Sequence, residues 1–104
     1  MSLSTHVLDA ASGLPAAGVP VRLERDGVVV ATAVTDADGR VRELGEPTAG
    51  TWRITFDTGA YFEATGQQGF YPEVVVAFTV TEPERHHHVP LLLSPFAYST
   101  YRGS

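Results

Sequence analysis

An antiparallel β-sandwich is the fold class predicted by this sequence of 104 residues. Three observations predict it: short stretches with a period of two, turn residues between them at regular spacing, and room for only one brief helix. The composition agrees: 43% hydrophobic and 18% charged residues supply one core, so 1–104 reads as a single domain. At this length folding buries roughly 60–70% of the unfolded surface, which is adequate without covalent staples. That matters because the chain has no cysteine, which excludes a disulfide scaffold, a thiolate zinc site and a cysteine nucleophile, and suits a reducing compartment.

The first strand signal is Ser4–Asp9, where Thr5, Val7 and Asp9 alternate with Ser4, His6 and Leu8. Val19, Val21 and Leu23 alternate with Pro20 and Arg22, and Asp26-Gly27 then separates this stretch from Val28–Val34. An Asp-Gly pair tolerates the positive φ angles of a tight turn, so the two stretches read as a hairpin. Asp36–Arg40 and Gly45–Gly50 are loops by their turn residues. Thr51–Phe56 places Trp52, Ile54 and Phe56 on one face and Thr51, Arg53 and Thr55 on a wet one. Asp57 is a helix cap and Gly66 a helix stop, which brackets a short helix over 58–66. Glu73–Val80 sets Val74, Val76, Phe78 and Val80 opposite Val75, Ala77 and Thr79, the pattern of a strand buried on both sides. The segment from His86 to Leu93 sets His87, Val89, Leu91 and Leu93 toward the core, so that His86, His88, Pro90 and Leu92 face away. Pro90 has no N–H to donate, which calls for an edge position or a local irregularity.

Seven arginines and no lysine stand against twelve acidic residues, a formal charge of −5 that argues against a nucleic-acid binder. The first residues have neither the basic start nor the apolar run of a signal peptide, and no stretch approaches the ~18 apolar residues of a membrane span. A soluble, cytoplasmic protein is expected.

Four clusters offer chemistry. His6 shares a strand face with Leu8, and alone it reads as a packing residue. His86 and His88, two apart on a strand, lie about 7 Å apart on one face, where they can share a ligand, a metal or a proton; clustered surface histidines also serve simply as polar cover. The short internal run of three histidines leads straight into a strand and is treated as native sequence, not a tag. Asp36 and Asp38 look like part of a calcium loop but lack its closing glutamate, while Arg40 offers planar, permanently charged donors for a carbonyl or an anionic heterocycle. The last eleven residues are dense in aromatic and hydroxyl groups, the composition of a docked terminus.

Four patches together resemble the transthyretin-like 5-hydroxyisourate hydrolases over essentially the full length. They are Ser4–Asp9 with Gly18–Val21, Thr35–Arg40, His86–Pro95, and Tyr98–Ser104 with its closing Tyr-Arg-Gly-Ser. That tetrapeptide is the most specific, since it separates the hydrolases from the hormone-carrying transthyretins of the same fold. The resemblance implies a sandwich of seven or eight strands with one short helix, a homotetramer built as a dimer of dimers, and active sites in a channel between subunits. It implies hydrolytic opening of 5-hydroxyisourate, the unstable product of urate oxidation, to 2-oxo-4-hydroxy-4-carboxy-5-ureidoimidazoline. His6, Arg40, His88 and Ser104 become the catalytic set, and Tyr101, Arg102 and Gly103 contact the substrate. Two histidines near neutral pKa suit removal of a proton from water and delivery of one to the departing nitrogen, with the order left open. Arg40 stabilises the charge that develops on the carbonyl. Ser104, through its hydroxyl or the terminal carboxylate, positions water or substrate. His87 departs from the aromatic residue common between the two family histidines, and its expected effect is on packing or local pKa values.

Three rivals remain. A transthyretin-like carrier without catalysis shares the fold but does not require the histidine pair, the arginine and the terminal tetrapeptide together. An immunoglobulin-like or carboxypeptidase-regulatory-like interaction module accounts for the stretch from Val19 to Phe56 and leaves the second half unexplained. A zinc protein using His6, His86 and His88 is chemically sensible, because three imidazoles suit Zn²⁺ and leave a position for water. On the hydrolase reading no cofactor is required, and zinc bound there is adventitious.

Overall fold

The Asp26-Gly27 turn places both residues at positive φ, 52° and 78°, as a two-residue hairpin requires. It joins β3 (Pro20–Arg25) to β4 (Val28–Val34). The computed structural model describes residues 2–104, in nine strands and one helix. The others are β1 (Leu3–Asp9), β2 (Leu14–Pro15), β5 (Arg40–Val41), β6 (Gly50–Phe56), α1 (Thr58–Ala64), β7 (Val74–Val80), β8 (His87–Ser94) and β9 (Ala97–Thr100). Two of the nine strands have only two residues, which leaves seven of four or more.

One sheet runs β4-β3-β6-β7 and the other β2-β1-β8-β9, with β5 also paired to β1. β5 and β2 share one edge of β1, the first beside Thr5 and His6 and the second beside Leu8 and Asp9. The core lies between the sheets and is built by alternation: Leu3, Val7, Leu91 and Leu93 from one face it against Val21, Leu23, Ile54, Phe56, Val74 and Val80 from the other, all buried. Thr5 is also buried and spends its hydroxyl on the Val89 carbonyl at 2.7 Å, so no polar atom is stranded there.

The antiparallel expectation has one exception. β1 and β8 run parallel, from Leu3 opposite His87 to Asp9 opposite Leu93. Strand direction across a long crossover leaves no mark on a period of two, so the sequence pattern is silent about it. The expectation that Glu73–Val80 is buried on both sides fails: β7 is an edge strand, and Val75, Ala77 and Thr79 are exposed. The wet face of β6 is only partly wet, because Thr55 is buried beneath Glu24 and donates to its Oε1 at 2.8 Å. Pro90 is not on an edge, since β8 lies between β1 and β9. His87 N–H donates to the Ser2 carbonyl, which sets the amides of odd-numbered residues toward β1. The missing amide of Pro90 therefore falls on the β9 side, one residue beyond the Leu91–Thr100 pair where that ladder ends.

The helix begins as predicted, with Asp57 Oδ1 accepting from the Ala60 amide at 3.0 Å. It buries Tyr61 and Phe62, and the Tyr61 hydroxyl donates to Asp9 Oδ2 at 2.7 Å, beside Gln67 Nε2 at 3.1 Å. Asp9 Oδ1 accepts from the Ala11 and Ser12 amides. Burial works against ionisation of Asp9, but the four hydrogen bonds outweigh it and hold its pKa below the usual carboxylate value. Burial and the same carboxylate push the Tyr61 phenol up to about 12. This network fastens the helix, which follows a strand of one sheet, to a strand of the other.

Candidate functional site

Strand register assembles the site. In the antiparallel β1–β5 pair His6 lies directly opposite Arg40, and in the parallel β1–β8 pair Ser4 lies opposite His88. Paired residues project to the same side of a sheet, so Ser4, His6, Arg40 and His88 all occupy the outer face, while Thr5, Val7, Val89 and Leu91 point into the core.

The short β5 strand is held in place by the loop before it. Asp36 Oδ1 accepts from the amides of Asp38 and Arg40, at 2.9 and 3.0 Å, and the Gly39 amide donates to the Asp36 carbonyl. The acidic loop is thus spent on its own backbone, and Asp36 is held below its ordinary pKa first by the Arg40 amide. Gly39 has φ +73°, and a Cβ there would lie 2.4 Å from the Val7 carbonyl oxygen. Only glycine lets the loop lie this close to β1, where the Val7 amide donates to the Gly39 carbonyl at 2.8 Å.

His86, His88 and two serines form a chain of contacts. Ser4 Oγ lies 2.7 Å from His88 Nδ1 and 2.8 Å from His86 Nε2, and Ser2 Oγ lies 2.8 Å from His86 Nδ1. With His88 Nδ1 engaged, Nε2 is the nitrogen left for a ligand. Burial lowers the His88 pKa, and the cationic side chain of Arg40 and the neighbouring imidazoles of His6 and His86 lower it further, while hydrogen bonding to Ser4 acts the other way. These surroundings favour the neutral ring.

A cleft of about 360 Å³ opens on this face, lined by Ser4, Thr5, Arg40, Val41, Arg42, His86, His88 and Ser104. Three of the four expected catalytic residues, Arg40, His88 and Ser104, line it. The fourth, His6, does not, but it lies beside it as the cross-strand partner of Arg40. The tail reaches the cleft because β9 pairs with β8 and the Gly103 amide then donates to the His88 carbonyl at 2.9 Å. A Cβ on Gly103 would sit 2.4 Å from His88 Cδ2, so the tail can pack here only as glycine. Tyr101 and Arg102 lie elsewhere: with His87, Phe78 and Thr79 they line a second cleft of about 330 Å³, which His88 also borders. Within one chain the expected site residues are thus divided between two clefts that both border His88, and Gly103 lines neither.

Sequence reasoning passed over Ser4 and Arg42 as site residues. Ser4 was findable, since it shares the period-two face of His6. Arg42 lies just beyond β5, where no pattern marks it. Arg40 and Arg42 form no close ion pair among the described residues, so a protein of net charge −5 presents a cationic cleft suited to an anionic or carbonyl-rich ligand. No group of three or more histidine, aspartate or glutamate side chains among the described residues is arranged to hold a metal ion.

Comparison with known proteins finds relatives of this chain in sequence and in fold. The 5-hydroxyisourate hydrolase of Mus musculus is 48% identical over 111 residues, covering 98% of this chain and 94% of its own. Among solved structures, Klebsiella pneumoniae 5-hydroxyisourate hydrolase superposes with a TM-score of 0.92 at 39% identity, covering 99% of this chain and 93% of its own. Sea bream transthyretin in complex with thyroxine superposes with a TM-score of 0.89 at 37% identity, covering 99% and 95%. The HIUase/Transthyretin family model matches residues 3–103, and the chain belongs to that family.

Proposed function

We infer that this protein is an enzyme that hydrolyses 5-hydroxyisourate. The observation that carries the reading is the outer-face cluster of His6, Arg40 and His88, closed by the Tyr-Arg-Gly-Ser tail against the His88 ring. Binding alone needs no such pairing of a neutral imidazole with a guanidinium; acyl chemistry does.

In the proposed mechanism, His88 Nε2 removes a proton from water as it attacks a ring carbonyl, a role suited to an imidazole kept neutral by its surroundings. Arg40 donates to the carbonyl oxygen as negative charge develops there. His6, beside Arg40, delivers a proton to the departing ring nitrogen, and the ring opens to 2-oxo-4-hydroxy-4-carboxy-5-ureidoimidazoline. Ser104 positions water at the mouth of the cleft, and Gly103 keeps the tail against His88. Tyr101 and Arg102 meet substrate from the second cleft, which extends the site past His88. No metal takes part on this reading.

A homotetramer is proposed as the working form. The exposed Phe96 in the turn before β9, Tyr98 on β9 and Tyr101 just after it leave a second subunit an apolar strip to cover. Sedimentation of the purified protein at a tetramer mass is expected, and a monomer would remove this part of the proposal. Among the described residues no helix is long and apolar enough to cross a membrane. A cytoplasmic location is proposed on the absence of cysteine, and cell fractionation tests it.

The test is to generate 5-hydroxyisourate in situ from urate with urate oxidase and follow its ultraviolet absorbance with and without the protein, in EDTA. Accelerated decay at catalytic protein concentrations is expected. Loss of turnover in EDTA with recovery on added zinc would establish a metal enzyme. Folded protein that accelerates nothing under either condition would point to a ligand carrier.

A further inference from the structure

The serine hydroxyl between His86 and His88 has one proton and two ring nitrogens to satisfy. Ser4 Oγ lies 2.8 Å from His86 Nε2 and 2.7 Å from His88 Nδ1. It can donate to only one of them, so when both rings are neutral the other nitrogen must carry the N–H that Ser4 accepts. The tautomers of the two histidines are thereby tied together. Two arrangements satisfy every contact. In one, His88 Nδ1–H donates to Ser4, Ser4 donates to His86 Nε2, and His86 Nδ1–H donates to Ser2 Oγ at 2.8 Å. In the other every donor is reversed, and His88 Nε2 carries the proton instead.

We propose that Ser4 and His86 are positioning residues for the reaction: of the two arrangements the resting chain takes the first, in which Ser4 accepts from His88 Nδ1 and leaves Nε2 bare toward the cleft, and His86 links His88 to solvent for proton exchange. The proposal rests on the hydrolase reading above, adds Ser4, which the sequence pattern left without a role, and gives His86 a part in proton exchange. His86 is exposed and His88 half-buried, so the chain of contacts leads from the cleft to the surface. When His88 Nε2 takes a proton from the attacking water, the ring's Nδ1 proton passes to Ser4 Oγ as the Ser4 proton passes to His86 Nε2. His86 then releases its Nδ1 proton to solvent beside Ser2. One proton enters at His88 Nε2 and one leaves at His86 Nδ1, so His88 is neutral again in the reversed arrangement, beside Arg40 and His6, which disfavour a lasting imidazolium. Uptake of a solvent proton at His86 Nδ1 and release of the His88 Nε2 proton to solvent run the chain back to the first arrangement.

The experiment is nitrogen NMR on full-length protein labelled with ¹⁵N-histidine, with the His88 signals identified by their loss in His88→Gln, alongside turnover of Ser4→Ala, Ser4→Thr and His86→Ala. At a pH where the ring is neutral, wild-type His88 is expected to show a protonated Nδ1 and a bare Nε2. In Ser4→Ala that signature should give way to the other tautomer or a mixture, with kcat down roughly tenfold and KM within about twofold. Ser4→Thr, which keeps the hydroxyl, should restore both, and His86→Ala should lower kcat in the same direction. A protonated Nε2 in wild-type His88, or an unchanged tautomer in Ser4→Ala, would overturn the proposal whatever the rates. Should Ser4→Ala not fold, the wild-type spectrum and His86→Ala still decide. The nitrogen shifts need no substrate, so a protein inactive toward 5-hydroxyisourate would sink the hydrolase reading separately.

Discussion

His88 is held from three directions: Ser4 at Nδ1, the Gly103 backbone against the ring, and Arg40, His6 and His86 around it. His88→Ala and Arg40→Ala should each lower kcat/KM by about 100-fold or more, with little change in thermal midpoint, because both side chains face outward from the core. His87→Ala should stay near wild type, since His87 does not line the cleft of Arg40 and Ser104 and its Nδ1 is engaged with the Arg85 carbonyl. Near-equal rates in all three folded variants would remove these assignments. The lowered His88 pKa also has a sign that can be checked. A base with a depressed pKa stays active below the ordinary imidazole value of 6.5, so the acid limb of kcat/KM should fall at a pH lower than 6.5. The unfolded state binds the proton more tightly, so the His88 contribution to stability is present above 6.5 and lost as pH falls through the native pKa. An acid limb above 6.5 would show that another group controls the rate.

Two local arrangements decide whether the strands meet as they must. Gly39 lets the Asp36–Arg40 loop touch β1, and Gly39→Ala combines a positive φ with a Cβ 2.4 Å from the Val7 oxygen. It should cost about 1–3 kcal/mol and lower activity as well, because the same shift moves Arg40 away from His6. Urea unfolding together with turnover would check it, and an unaffected rate would mean that β5 holds its register without the loop. Tyr61 anchors α1 to Asp9 on β1. Its folded pKa of about 12 lies above the ordinary phenol value of 10.0, so its contribution is complete below pH 10 and lost as pH rises from 10 toward 12. Asp9 has the opposite sense: its contribution is present above 3.8 and is lost as pH falls below that value through the depressed native pKa. Tyr61→Phe should cost about 1–3 kcal/mol at pH 7, where it leaves a buried carboxylate short of a donor, and should flatten the stability loss between pH 10 and 12. Urea midpoints across that range measure both effects.

The two sheets share one core, and residues at its centre touch both. Ile54 is fully buried on β6, and Ile54→Ala should cost about 2–5 kcal/mol and shift unfolding followed by Trp52 fluorescence and by circular dichroism to the same extent. Transitions that separate would show the sheets unfolding independently. The site depends on this unity, because it lies on the outer face of the sheet whose inner face is the core. His88 projects outward between Val89 and the β8 start because Val89, Leu91 and Leu93 are pulled inward.

Alternation along β1, β6 and β8 was readable because burial of one face leaves a period of two in the residues themselves, and the cap and turn residues mark their ends by local hydrogen bonding. The same alternation correctly set His6 and His88 outward, and the Tyr-Arg-Gly-Ser tail tied the chain to its family. Other features leave no local trace. β7 reads as buried on both faces because valine suits a strand on an edge as well as in the middle; its neighbours decide which, and they are distant in sequence. The parallel pairing of β1 with β8 is likewise a choice of partner, and it is what sets Ser4 beside His88 and completes the cleft. Periodicity gives the direction of each side chain, because that depends on the chain next to it. Which side chains meet depends on register between strands more than eighty residues apart, and only the packed sandwich fixes that.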